Sequence, residues 1–256
     1  MKHRLTSLMH PTPSLLLLIT AASVSAQSTE LPPARAVVDR YVEAIGGRAA
    51  LLARPGAYSF GRLEITGQNV TGTVEMTSAP PNRLLSRVMI AAIGEIRSGY
   101  DGAIGWSLHP ALGPQLMDSA GVSVMRRLAE FHAELHDSTF VTRLETVERT
   151  TFEGRQCYRV HVTFAAGGEH EEFFDVETGL LAGSEETRNT PVGTITVRTV
   201  LSDYRVFGNL LVATRLRQRP ARGPEQVIVT DSIRFAPVPA ETFTPPPAIL
   251  ALIRSP

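Results

Sequence analysis

Lysine is almost missing from this chain: Lys2 is the only one, and every later basic side chain is arginine or histidine. Without lysine there is no phosphate-binding P-loop, no pyridoxal Schiff base and no kinase-type phosphate-pairing residue, which sets nucleotide chemistry aside. Cysteine is equally scarce. Cys157 stands alone, so no intramolecular disulfide can form even in an oxidising compartment, and apolar burial must hold the core. It falls in an apparent strand, where a thiol is a small buried hydrophobe. Net charge is also lacking: residues 27–256 carry 23 basic against 25 acidic residues, a formal charge of −2 that does not suit nucleic acid. No Gly-x-Ser-x-Gly elbow is present, so a lipase of the α/β-hydrolase type has no visible nucleophile. Long hydrophobic runs are missing too. Leu15 to Ile19 with Ala21 and Ala22 is the most apolar stretch, and it falls short of the roughly 18–20 residues a membrane span needs.

That short stretch has another meaning. Lys2, His3 and Arg4 precede it, and Val24-Ser25-Ala26 follows as a small-residue cleavage site, the layout of a secretory signal. Residues 1–26 are therefore expected to be removed near Ala26, giving a periplasmic protein that starts at Gln27. A lipoprotein would carry cysteine after the cut, so lipid anchoring by that route is not expected. Residues 27–256 show no linker-like stretch and are read as one β-domain, a size at which barrels and sandwiches stay undivided.

Two helices and many strands are expected. Val38, Tyr41, Val42 and Ile45 recur at helical spacing after Pro32-Pro33, and Gly46-Gly47 ends that run before a short turn of helix from Arg48 to Leu52. From Tyr58 the period changes to two. Val70, Gly72, Val74 and Met76 alternate with polar residues, Gly61 suggests a bulge, and Gly67-Gln68-Asn69 a turn. Strands follow to Leu108. Between Ser119 and Asp137, Val124, Leu128, Phe131 and Leu135 form the apolar side of a second amphipathic helix. Alternation resumes with Tyr158, Val160, Val162 and Phe164, then Glu169 to Val176, and hairpins to Phe235 with a turn at Gly208-Asn209. A proline-rich exit and the apolar tail Ala248 to Ile253 close the chain. The count is about ten or eleven strands, in a mainly β (α+β) protein.

Three stretches, Tyr41 to Gly47 with Leu51-Leu52, Gly72 to Met76 leading into Pro80-Pro81-Asn82-Arg83-Leu84, and Asp101-Gly102 followed by Trp106, together resemble the periplasmic lipoprotein carriers of the LolA/LolB superfamily. Weaker echoes are Phe174-Asp175 with Thr178-Gly179-Leu180, Asp203-Tyr204 before Phe207-Gly208, and Phe243 before Pro245. The resemblance implies a strongly curved antiparallel sheet, an incomplete barrel whose open side is covered by helices over an apolar cavity. It implies a carrier with no catalytic residues, cofactor or metal, expected as a monomer. The ligand would be a lipid or lipoprotein acyl chain, and a membrane-protein partner could take over the cargo. Each exposed methylene costs about 0.8 kcal/mol in water, so a chain of ~15 carbons costs on the order of 12 kcal/mol to carry unprotected.

The residues expected to line that cavity are Leu63, Ile65, Val74, Met76, Val88, Ile90, Trp106, Leu128, Phe131, Val160, Val162 and Phe174. Histidines offer other chemistry. His132 and His136 would share one face of the central helix around Glu134, but the order is not His-Glu-x-x-His and no third zinc ligand is near in sequence. His161 and His170, beside Glu169, Glu171 and Glu172, could form an acid–base cluster of a small hydrolase if they faced one cleft. Alternation instead sets His161 with Arg159 and Thr163 on a solvated face. Asp101 before Gly102 is read as a turn residue, and the tail as docked on the body. An envelope-sensing interaction module on the same scaffold is the alternative to a carrier.

Overall fold

One antiparallel sheet of 13 strands carries the fold, in a computed structural model that describes residues 30–190 and 193–254. The expected export signal and cleavage site fall on residues outside those described. α1 (Ala34–Ala44) and α2 (Arg48–Leu52) come first, with Pro33 at the N-cap of α1. Gly46 and Gly47 turn the chain between them at φ of 126° and 86°, where a side chain would be strained. A Cβ at Gly46 would also lie 2.6 Å from the Asn209 carbonyl oxygen.

The first meander is β1 (Ala57–Ile65), β2 (Val70–Ala79), β3 (Arg83–Ile90), β4 (Gly94–Tyr100), β5 (Gly105–His109) and β6 (Gly113–Leu116). After α3 (Ser119–Leu128), a second meander runs through β7 (Val141–Phe152), β8 (Arg155–Phe164), β9 (Glu169–Asp175), β10 (Leu181–Thr190), β11 (Gly193–Phe207), β12 (Leu210–Pro220) and β13 (Gln226–Phe235). β13 pairs with β1 and joins the two meanders, while β6 and β7 remain as unpaired edges. The sheet is thus an unclosed, curved barrel. The register shifts between Phe60 and Gly61, the bulge expected at that glycine. β6, β7 and β10 raise the strand count above expectation. β7 buries only Val141 and Phe152, at its two ends, so no alternation marks it.

Register separates the two faces. Gly61, Val74, Val88 and Ile96 stand opposite one another across β1 to β4, as do Leu63, Gly72 and Ile90, and Ser78, Leu84 and Tyr100. Leu84 and Tyr100 pack on Met125 and Ala129, so this is the face that α3 covers. In the second meander the same face presents Val160 opposite Glu172, Val162 opposite His170 and Tyr158 opposite Phe174. α1 covers it there, packing Val38, Tyr41 and Val42 on Val160, Val162 and Phe174 in the main core. On the other face, Trp106 lies opposite Gly99 and beneath the C-terminal segment, where Phe243 and Ile249 of α4 and the turn before it are buried. α4 spans Pro247–Arg254, so the tail docks as expected.

The central helix is shorter than its periodicity suggests. A helix continuing to Asp137 would bond the Phe131 N–H to the Arg127 carbonyl and the Phe131 carbonyl to the Leu135 N–H. Instead the Phe131 N–H donates to the Pro81 carbonyl at 3.1 Å, and Arg54 donates to the Phe131 carbonyl at 3.0 Å. α3 therefore stops at Leu128, and a single 3-10 turn, Ala133–Leu135, follows. His136 sits in the left-handed region at φ of 48°. The His132/His136 pairing on one helix face is accordingly overturned.

Candidate functional site

Where α3 gives way to the 3-10 turn, a cavity of about 220 Å³ opens between this segment and the helix-covered face of the sheet. Its apolar wall is built from Val124 and Leu128 of α3, Phe140, Phe164 of β8 and Leu181 of β10. Leu128 is 58% exposed, a large apolar side chain left at the mouth. The other wall is polar. Tyr41, Arg127, His136, His170, Glu172 and Glu186 all reach the same space.

The centre of the polar wall is a carboxylate held between two imidazoles. Glu172 Oε2 lies 2.8 Å from His136 Nε2, and Oε1 lies 3.0 Å from His170 Nε2. Both His136 and Glu172 are only 6% exposed. A carboxylate can only accept, so each Nε2 donates. His136 Nδ1 faces the Glu134 carbonyl at 3.1 Å and must donate as well. Both nitrogens being donors makes His136 an imidazolium, the counterion that a buried carboxylate requires. The electrostatics agree. Burial alone would lower the His136 pKa, but the charge of Glu172 and the hydrogen bonds to Glu172 and the Glu134 carbonyl together raise it. Burial would raise the Glu172 pKa, yet the charge of His136 and the hydrogen bonds from His136 and His170 hold it far below the usual carboxylate range.

Arginines from the helices fix the geometry. Arg35 donates to the Leu135 and His136 carbonyls at 3.1 Å each, and Arg54 grips both oxygens of Glu134 at 2.9 Å. These bonds satisfy the backbone of a segment that has left the helix. Arg127 ties α3 to the sheet through the Gly167 carbonyl and Glu186, both at 2.6 Å, with its guanidinium over the Phe164 ring.

Of the residues expected to line one hollow, only Leu128 borders this cavity. Leu63, Val74, Val88 and Ile90 share the helix-covered face but pack on one another. Ile65 and Met76 lie on that face by register, with Met76 40% exposed. Val160, Val162 and Phe174 are consumed by the packed core beneath α1, and Phe131 is buried under the Arg54 guanidinium. Trp106 belongs to the opposite face, because strand parity places it opposite Gly99 and the tail covers it. The histidine cluster is rearranged too. His161 faces the other side of the sheet, bonded to Glu171 at 2.8 Å, while His170 points into the cavity wall. Among the described residues no group of three or more His, Cys, Asp or Glu side chains could hold a metal ion. Asp101 is a turn residue, its Oδ1 accepting from the Ala103 and Ile104 N–H groups at 2.8 Å.

Sequence patterning placed Glu172 beside His161 and His170 but missed its buried pairing with His136. The signal was parity: Glu172 shares the face of Phe174 and Val160, where a carboxylate must have a buried partner.

Solved structures carry this architecture. A LolA superfamily protein from Nitrosomonas europaea superposes with a TM-score of 0.57 over 84% of this chain and 99% of its own, at 12% identity. The chain shares the fold of that LolA superfamily protein. A DUF1329 family protein from Desulfovibrio piger shares the LolA-type fold at a TM-score of 0.55 and 13% identity, over 84% of this chain and 98% of its own. So does a domain named for outer membrane lipoprotein sorting from Vibrio parahaemolyticus, with a TM-score of 0.50 and 11% identity over 77% of this chain and 93% of its own. No family model and no curated protein matches the chain.

Proposed function

We propose that the protein is a non-catalytic periplasmic carrier that shelters one hydrophobic ligand in the cavity between α3 and the sheet. The observation that carries this reading is the apolar wall of that cavity with Leu128 unburied at its mouth. An exposed leucine beside an apolar hollow gains by contact with a ligand what it loses to water, on the order of 1.5–3 kcal/mol for full burial. The LolA-type fold supports the reading, since a half barrel under helices is an architecture able to enclose such a molecule. Among the described residues no serine, threonine or cysteine lines the cavity, so the Glu172–His170 pair has no such nucleophile beside it.

Volume bounds the cargo. An apolar hole of about 150 Å³ holds a benzene molecule, so about 220 Å³ accepts a single short chain or small ring system. The several acyl chains of a lipoprotein would need α3 to swing away. Native mass spectrometry of protein purified from the envelope fraction tests the reading. A bound hydrophobic adduct, removed by organic extraction, is expected; protein that is empty and that also fails to take up an added fluorescent hydrophobe would refute it.

A further inference from the structure

Two polar atoms at this cavity have no hydrogen-bond partner among the described residues. Tyr41 is 7% exposed and packs its ring on Phe174 at 5.6 Å between centroids, yet its hydroxyl makes no hydrogen bond among the described residues. Burial, with Tyr204, Glu134 and Glu172 nearby, holds its pKa well above the ordinary phenol value, so the hydroxyl keeps its proton and can donate. The second atom is His170 Nδ1. His170 gives its Nε2–H to Glu172, and in the neutral tautomer that makes this bond Nδ1 carries a lone pair and accepts. Phe164 meets the His170 ring edge-on at 4.7 Å and continues the apolar wall beside it.

Buried tyrosine hydroxyls and imidazole nitrogens ordinarily find partners, so a ligand that supplies one gains by binding here. A donor and an acceptor that border one cavity with an apolar wall are the complement of an alcohol, which accepts through its oxygen and donates its hydrogen. A carboxylate is the wrong match. It cannot donate to His170 Nδ1, and the cations of the wall, His136 and Arg127, are already paired with Glu172 and Glu186.

We propose that the cavity is specific for an uncharged amphiphile ending in a hydroxyl group, with the hydroxyl held by Tyr41 and His170 and the hydrocarbon against Phe140, Phe164 and Leu128. This deepens the carrier reading and rests on it.

The test is displacement of the fluorescent hydrophobe N-phenyl-1-naphthylamine by 1-octanol, octanoate and 1-chlorooctane, which share a chain and differ at the end. Octanol should displace the probe about tenfold more tightly than either competitor, the worth of one or two hydrogen bonds. Tyr41→Phe removes only the hydroxyl and should narrow that gap while leaving the melting temperature unchanged or higher. His170→Leu should narrow it as well, and His170→Gln, which restores an acceptor, should recover part of it. Equal displacement by all three compounds, or a gap that survives Tyr41→Phe, overturns the proposal while the carrier reading stands. Failure of every compound to displace the probe, or of the probe to bind, overturns both.

Discussion

The two meanders solve the same burial problem in different ways. The first, β1 to β6, is covered on both faces at one end, by α3 on one side and by the C-terminal tail on the other, and its apolar residues form separate small clusters. The second, β7 to β13, gathers one large cluster beneath α1 and places an ionised His136–Glu172 pair, hydrogen-bonded to His170, at its border. The cavity lies where these regimes meet. A continuous apolar core leaves no room for a ligand, and loosely connected clusters leave no wall to shape one; the junction provides both.

The largest effect should come from breaking the bridge. Glu172→Ala leaves a buried imidazolium unpaired and should cost about 3–5 kcal/mol in urea unfolding. The same pair sets a pH signature. His136, with its pKa raised above 6.5, contributes fully below that value and is lost as pH rises through its folded pKa. Glu172, with its pKa lowered below 4.5, contributes above that value and is lost as pH falls. Wild-type stability should therefore be greatest between pH 4.5 and 6.5 and decline on both sides. Glu172→Ala should flatten that profile; an unchanged profile would mean that the bridge is not the second meander's distinguishing element.

Gly99→Ala probes the first meander. A Cβ there would lie 2.5 Å from the Trp106 ring, so overpacking should cost about 1–3 kcal/mol. Trp106 is the chain's sole tryptophan, and its fluorescence should shift with the substitution. Because Trp106 faces away from the cavity, ligand affinity should hold. A large loss of affinity would show that the two faces are coupled.

The smallest expected effect concerns the helix at the junction. Asp118 caps α3 by accepting the Gly121 N–H at 2.8 Å, and Asp118→Ala should cost about 1 kcal/mol. Fraying at this end should speed release of the naphthylamine probe in stopped-flow measurements more than it lowers overall stability.

Sequence patterning recovered the elements whose residues alternate cleanly. α1, α2, β2, β8, the Gly61 bulge and the docked tail were all legible, and so was burial of Cys157, whose thiol is pushed up to about 11 by its apolar surroundings and Asp175. β7 and β10 were not. They are rich in Thr, Glu and Arg, and their pairing partners, not their own apolar content, make them strands. The central helix shows the converse failure. Its 3.6-residue period continues to Leu135, but Pro81 and Arg54 capture both backbone groups of Phe131 and end it.

The chain's own pattern decided that a mainly β sheet would keep one apolar face under helices, because period-two residues commit each strand's sides wherever the strand lies. Which face holds Trp106, where α3 stops, and that Glu172 meets His136 from 36 residues away were decided only in three dimensions. Those outcomes depend on partners distant in sequence, and a hydrogen bond or a counterion acts across space without regard to order along the chain.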